Sequence, residues 1–240
     1  MPRRHAGRAI IVLESPWELD DEDANRSSVL PFVEGVAKLS GDMDVLHANY
    51  YDEASMLAAV QCLAKLKYDN AIVYIAAHGG SGEAGHVELL SIFAAIQLFA
   101  DECNITGVLI GSCYGAEDLT RLQAGIENSR LRWCAGYASS AYWLQGTLVD
   151  CAILERMSEL PASAYGSADE MVEQLAAAVS LFSPRTAIGE DCDDEPVSLA
   201  ASLRFVIQPA GKGNRARDVS EEVFDCHESY QIDDEEDEDD

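Results

Sequence analysis

Apolar residues in this chain come in two patterns. Some form short unbroken runs; others recur every three or four positions through more polar stretches. Short runs rich in β-branched residues predict buried strands, and the three-to-four spacing predicts helices with one apolar face. "RAIIVLE" (8–14) is the first predicted strand, and a polar loop follows it. Ser27 or Ser28 is placed to cap a helix carrying Val29, Phe32, Val33, Val36 and Leu39 on one face. "MDVLHANYY" (43–51) reads as the second strand. Residues 52–67 read as a helix with acids at its start, where the macrodipole favours them. "NAIVYIAAH" (70–78), "GVLIGS" (107–112), "LRWCAGYAS" (131–139) and "SLRFVIQPA" (202–210) predict four more strands. Helices are expected over 87–102, 117–128, 144–159 and 167–182.

Strands alternating with helices predict an α/β fold, a mainly parallel sheet of about six strands with helices on both faces. In such sheets, functional groups gather at the C-terminal ends of the strands. One domain is expected over residues 1–210. Residues 211–240 read as a disordered acidic tail, because Asp233–Asp240 is an unbroken run of acids that repels itself. The tail serves solubility on one reading, and docking or autoinhibition on another.

The net charge of -27 makes nucleic acid and anionic membranes unsuitable partners. The seven cysteines are odd in number and contain no C-x-x-C pair. They read as reduced thiols of a cytoplasmic protein, with neither a disulfide framework nor a structural zinc site. The N-terminal arginines precede an apolar run too short for a signal-peptide core, and no stretch approaches a membrane span.

Two strand ends carry the chemistry. "AIVYIAAHG" ends in His78, and "GVLIGSCYG" ends in Cys113. They stand 35 residues apart, which fits one strand–helix–strand crossover, and such a unit usually sets its strands side by side. Both side chains would then reach one rim of the sheet. A thiolate is a strong nucleophile, and histidine moves protons near neutral pH. The helix expected after Cys113 would point its N-terminus at the thiol and favour the thiolate. Gly79 and the glycines after it can turn N–H groups toward a developing oxyanion.

An apolar strand ending in His-Gly, followed one unit later by an apolar strand ending in a small residue and Cys, resembles the caspase-like cysteine peptidases. "YIAAHGG" and "LIGSCYGA" carry the likeness, and "WCAGYASSAYWLQGTLVDCAIL" resembles the segment after the nucleophile in bacterial CHAT-domain members. The resemblance implies a caspase-like three-layer sandwich and a metacaspase-type or CHAT-type thiol endopeptidase that needs no cofactor. It implies that Cys113 attacks the scissile carbonyl and that His78 protonates the leaving amine. It implies an oxyanion hole from the N–H groups of Gly79 and Cys113. Ala138, Ser139, Ser140, Ala141 and Tyr142 would line the substrate groove. A protein substrate is implied, together with a regulatory partner or processing event that orders loops 80–86, 138–145 and 183–197. The glutamine-alanine-cysteine-glycine run of animal caspases is absent, so cleavage after aspartate is not expected. Glu117 and Asp118 could attract a basic residue, or simply charge a helix start.

Three rival readings use the same residues. "GSCYG" has the G-x-C-x-G form of a nucleophile elbow, as in glutamine amidotransferases and some hydrolases. That class places its histidine after the nucleophile, where only His227 stands, read here as an exposed tail residue. "GSGEAG" (80–85) has the dinucleotide-binding form G-x-G-x-x-G, but it follows the third strand and no acid closes the next one. A catalytically idle module that binds partners is the third reading.

Overall fold

The computed structural model describes residues 6–16 and 28–228. The chain order is β1 (Arg8–Ser15), α1 (Leu30–Ser40), β2 (Met43–Asn49), α2 (Glu53–Leu63) and β3 (Asn70–Ala77). Three short strands follow, β4 (Gly79–Gly80), β5 (Glu83–Ala84) and β6 (Val87–Glu88), then α3 (Leu89–Cys103), β7 (Ile105–Gly111), α4 (Leu119–Ile126) and β8 (Trp133–Tyr137). Next come α5 (Trp143–Glu159), α6 (Ala168–Val179), β9 (Ala187–Glu190), β10 (Pro196–Ser198), α7 (Leu199–Ser202), β11 (Leu203–Ile207), β12 (Arg217–Asp218) and α8 (Ser220–Glu228).

Seven strands form the central sheet, in the order β12-β11-β8-β7-β3-β1-β2. The five strands from β2 to β8 run parallel, while β11 runs antiparallel to β8 and β12 antiparallel to β11. Strand alternation divides the core into two layers. Ile10, Val12, Ile72, Tyr74 and Leu109 face one side and pack with Val33 of α1, Ile153 of α5, Leu175 of α6 and Val223 of α8. Ile11, Leu13, Val73, Ile75 and Val108 face the other and pack with Val60 of α2, Ile96 of α3 and Leu122 of α4. Burial on both faces is why these strands read as continuous apolar runs. The result is a three-layer α/β sandwich.

The strand order reverses at β1. The chain passes from β1 outward to β2, then crosses back to β3 and continues through β7 to β8. A crevice opens at such a reversal, beyond the C-terminal ends of the strands.

Two expectations need correction. The fold does not stop near residue 210. β12 joins the sheet, and Val219, just before α8, and Val223 within it are both buried in the core. His227, read as exposed, is buried, with Nε2 2.9 Å from the Phe182 carbonyl oxygen. Val223, Phe224 and Cys226 are the apolar residues of this helix and stand among acids, so its composition hides its packing face. Residues 229–240, with the Asp233–Asp240 run, lie outside the described residues. Among the described residues no helix is long and apolar enough to cross a membrane, and no cluster of metal-ligating side chains is present.

Candidate active site

The register of β3 and β7 sets the site. Ala76 pairs with Gly111 in the parallel ladder, so His78 and Cys113 each lie two residues beyond one pair. Both line a cleft over the strand reversal, along with Glu14 and Ser15 at the end of β1, Pro16 after it, and Tyr137 at the end of β8. The cleft roof comes from Ala141, Tyr142 and the first turns of α5. His78 is exposed and Cys113 half-buried, so both are open to a ligand.

Gly79 explains the tightness of this corner. A Cβ there would lie 2.1 Å from the Cys113 carbonyl oxygen and 2.9 Å from the Cys113 nitrogen. The backbones on either side of the dyad therefore touch, which only glycine permits. The next amides are occupied: Tyr114 N–H donates to Ser139 O (2.9 Å), Gly115 N–H to Ser112 O (3.3 Å) and Ala116 N–H to Tyr137 O (2.8 Å). Cys113 N–H takes no part in this set of turn bonds.

The helix expected to start beside Cys113 does not. α4 begins at Leu119, after a turn in which Tyr114 has a positive φ of 58°. Its macrodipole therefore does not point at the thiol. What reaches the sulfur is the Ala141 N–H, which donates to Cys113 Sγ at 3.4 Å. Glu117 and Asp118 are exposed and outside the cleft; Asp118 caps α4 through the Thr120 N–H and pairs with Arg121.

The five residues expected along the groove divide. Ala141 and Tyr142 line the cleft, whereas Ala138, Ser139 and Ser140 do not. Ala138 N–H and the Ser139 hydroxyl are tied to Ser202, and Ser140 is tied to Glu190. These three hold the segment in place behind its cleft-facing part.

Sequence reasoning missed Asp150. It lies one turn along α5 from Gly146 and Thr147, and it is among the residues that line the cleft. It is buried and accepts from Tyr74 Oη (2.7 Å) and Tyr137 Oη (2.8 Å). Burial pushes the carboxyl up to about 7, although both tyrosine bonds pull it down. A Cβ on Gly111 would meet Asp150 Oδ2 at 2.7 Å, so the acid sits against β7, the strand that leads to Cys113. The available signal was one acid inside the apolar stretch "LVDCAIL". Glu14 is the second acid of the cleft. It accepts from Val29 N–H (2.6 Å) and Ser28 Oγ (3.0 Å), and His47 Nε2 lies 2.7 Å from it. Among the described residues lining the cleft there is no lysine or arginine.

The rival motifs lie elsewhere. "GSGEAG" lies in a three-stranded antiparallel ribbon, β4-β5-β6, and α3 opens only after it. A phosphate cradle needs the glycine loop to run directly into the helix. His227 is not in the cleft, which leaves a nucleophile elbow without its later histidine. No family model matches the chain, and no curated protein matches it.

Proposed function

We propose that the chain is a cysteine endopeptidase working through a His78–Cys113 dyad. The observation that carries this reading is the register: a histidine and a cysteine two residues beyond one ladder pair, opening on one cleft at the strand reversal. Two groups of these types at one cleft match the needs of acyl transfer.

The Cys113 thiolate attacks the scissile carbonyl carbon, and a C–S bond forms as the carbonyl oxygen takes the electron pair. The N–H groups of Gly79 and Cys113 are the donors for that oxyanion. The C–N bond then breaks while His78 gives its proton to the leaving amine. A thioester remains. Water, losing a proton to His78, attacks the thioester; the acid product leaves and Cys113 is a thiolate again. The caspase-like identity of the fold belongs to the same proposal, as do the protein substrate and a regulatory partner.

The cleft also suggests what the substrate presents. Its acids are Glu14, which His47 Nε2 already meets at 2.7 Å, and Asp150, and no lysine or arginine is among the described residues that line it. A lysine or arginine side chain of the substrate complements that wall. The test is a fluorogenic amide preceded by lysine or arginine. Wild type should release the fluorophore; Cys113→Ala should not, and His78→Ala should lose about 100-fold or more. Equal rates in wild type and Cys113→Ala would remove the proposal.

A further inference from the structure

The segment Ala138–Tyr142 bends at Ala138 and Ser139 and forms a strap with two hydrogen-bonded edges. One edge faces the nucleophile. Ser139 O accepts from Tyr114 N–H (2.9 Å), and Ala141 N–H donates to Cys113 Sγ (3.4 Å). The other edge is paired with β9. Ser140 N–H donates to Glu190 O (3.0 Å) and Tyr142 N–H to Ile188 O (2.8 Å). The Ser140 hydroxyl closes a ring: it donates to Glu190 O (2.9 Å) and accepts from Glu190 N–H (2.8 Å). Tyr142 Oη adds a bond to Glu190 Oε1 (2.9 Å).

The Ala141 N–H is thus aimed by its neighbours on both sides. Ser140 and Tyr142 are locked to β9, so the amide between them has one direction left, toward the sulfur. A fixed donor at an ionised sulfur is a charge-assisted bond, stronger than one between neutral groups. The donor costs no reorganisation when the charge forms, because β9 has already oriented it.

We propose that β9 is a positioning strand for the nucleophile, with Ser140 and Glu190 locking the strap so that the Ala141 N–H holds the Cys113 thiolate. The inference rests on Cys113 being the reactive thiol of the peptidase reading. It gives the β9–β10 hairpin a role in reactivity beyond packing.

The test measures thiol reactivity directly. The full chain is treated with iodoacetamide at fixed neutral pH, and the rate at Cys113 is read by peptide mass mapping. Exposed Cys62 on α2 is the internal reference. Ser140→Ala removes the hydroxyl ring. Gly189→Ala removes no hydrogen-bonding group but sets a Cβ 1.9 Å from Ser140 O, forcing β9 off the strap; it decides the question if Ser140→Ala does not fold. Each variant should alkylate Cys113 about tenfold more slowly relative to Cys62, the effect of losing one hydrogen bond to a charged group. Ser140→Thr keeps a hydroxyl and should return most of the rate. A strap that merely covers the thiol would speed alkylation when loosened. Unchanged or faster alkylation in a folded variant overturns the proposal. The readout needs no peptide cleavage, so it stands apart from the fate of the peptidase reading. Where cleavage is seen, the loss should fall on kcat and leave KM nearly unchanged.

Discussion

Asp150 is where stability and the proposed recognition of a basic side chain pull against each other. Burial lifts its carboxyl from 3.8 to about 7. Below about pH 4 the group is protonated in both folded and unfolded chains. Between there and about pH 7 the unfolded chain releases the proton while the folded chain keeps it. Stability therefore falls as pH rises across that window and levels off above it. Asp150→Asn should remove the slope and, at pH 8, stabilise the protein by on the order of 1 kcal/mol or more. Urea titrations at pH 4.5 and 8 would read this; an unchanged slope would contradict it. The same variant should lose its preference for lysine and arginine peptides by about tenfold or more, as one charged contact goes. In wild type, KM for such peptides should fall as pH rises through about 7, since only the ionised acid attracts a cation. Gly79 makes a simpler case. Gly79→Ala sets a Cβ 2.1 Å from the Cys113 carbonyl oxygen. It should cost about 1–3 kcal/mol of stability and most of the cleavage activity.

At the scale of elements, the strands were legible and the connections less so. β1, β3 and β7 are buried on both faces, so their sequences announce them as apolar runs. α2 was legible from its acids, and it carries a reciprocal Asp52–Ser55 capping box. The start of α4 was misjudged because Glu117 and Asp118 look like a first helical turn; Asp118 is instead the cap. β4, β5 and β6 were not foreseen, since two-residue strands leave no periodicity to read. The strap's pairing with β9 joins residues about 50 apart in sequence, which local pattern does not encode. α8 was hidden by its acids. It is part of the fold, so Val223→Ala should cost about 2 kcal/mol through lost burial and the cavity left behind. A melting curve indistinguishable from wild type would show that α8 packs only loosely.

The whole molecule turns one topological event into a site. The strand reversal at β1 opens the crevice, the crossover from β3 to β7 brings His78 and Cys113 to it, and β8 leads the strap back across it. The dyad was legible because its spacing is that of one crossover. The acid of α5 was not, because a helix after the last parallel strand reaches the cleft only in three dimensions. The charge of the molecule acts on the same scale. Under the proposed function, a net -27 would draw cationic substrates toward the cleft, so kcat/KM for lysine or arginine peptides should fall as salt rises. A salt-independent kcat/KM would remove long-range attraction from the account.

The most direct measurement is to incubate the wild-type chain and Cys113→Ala with a mixed peptide library and identify the products by mass spectrometry. The account predicts cleavage by wild type, with lysine or arginine ending the N-terminal fragments, and none by Cys113→Ala. Products formed equally by both proteins would contradict it.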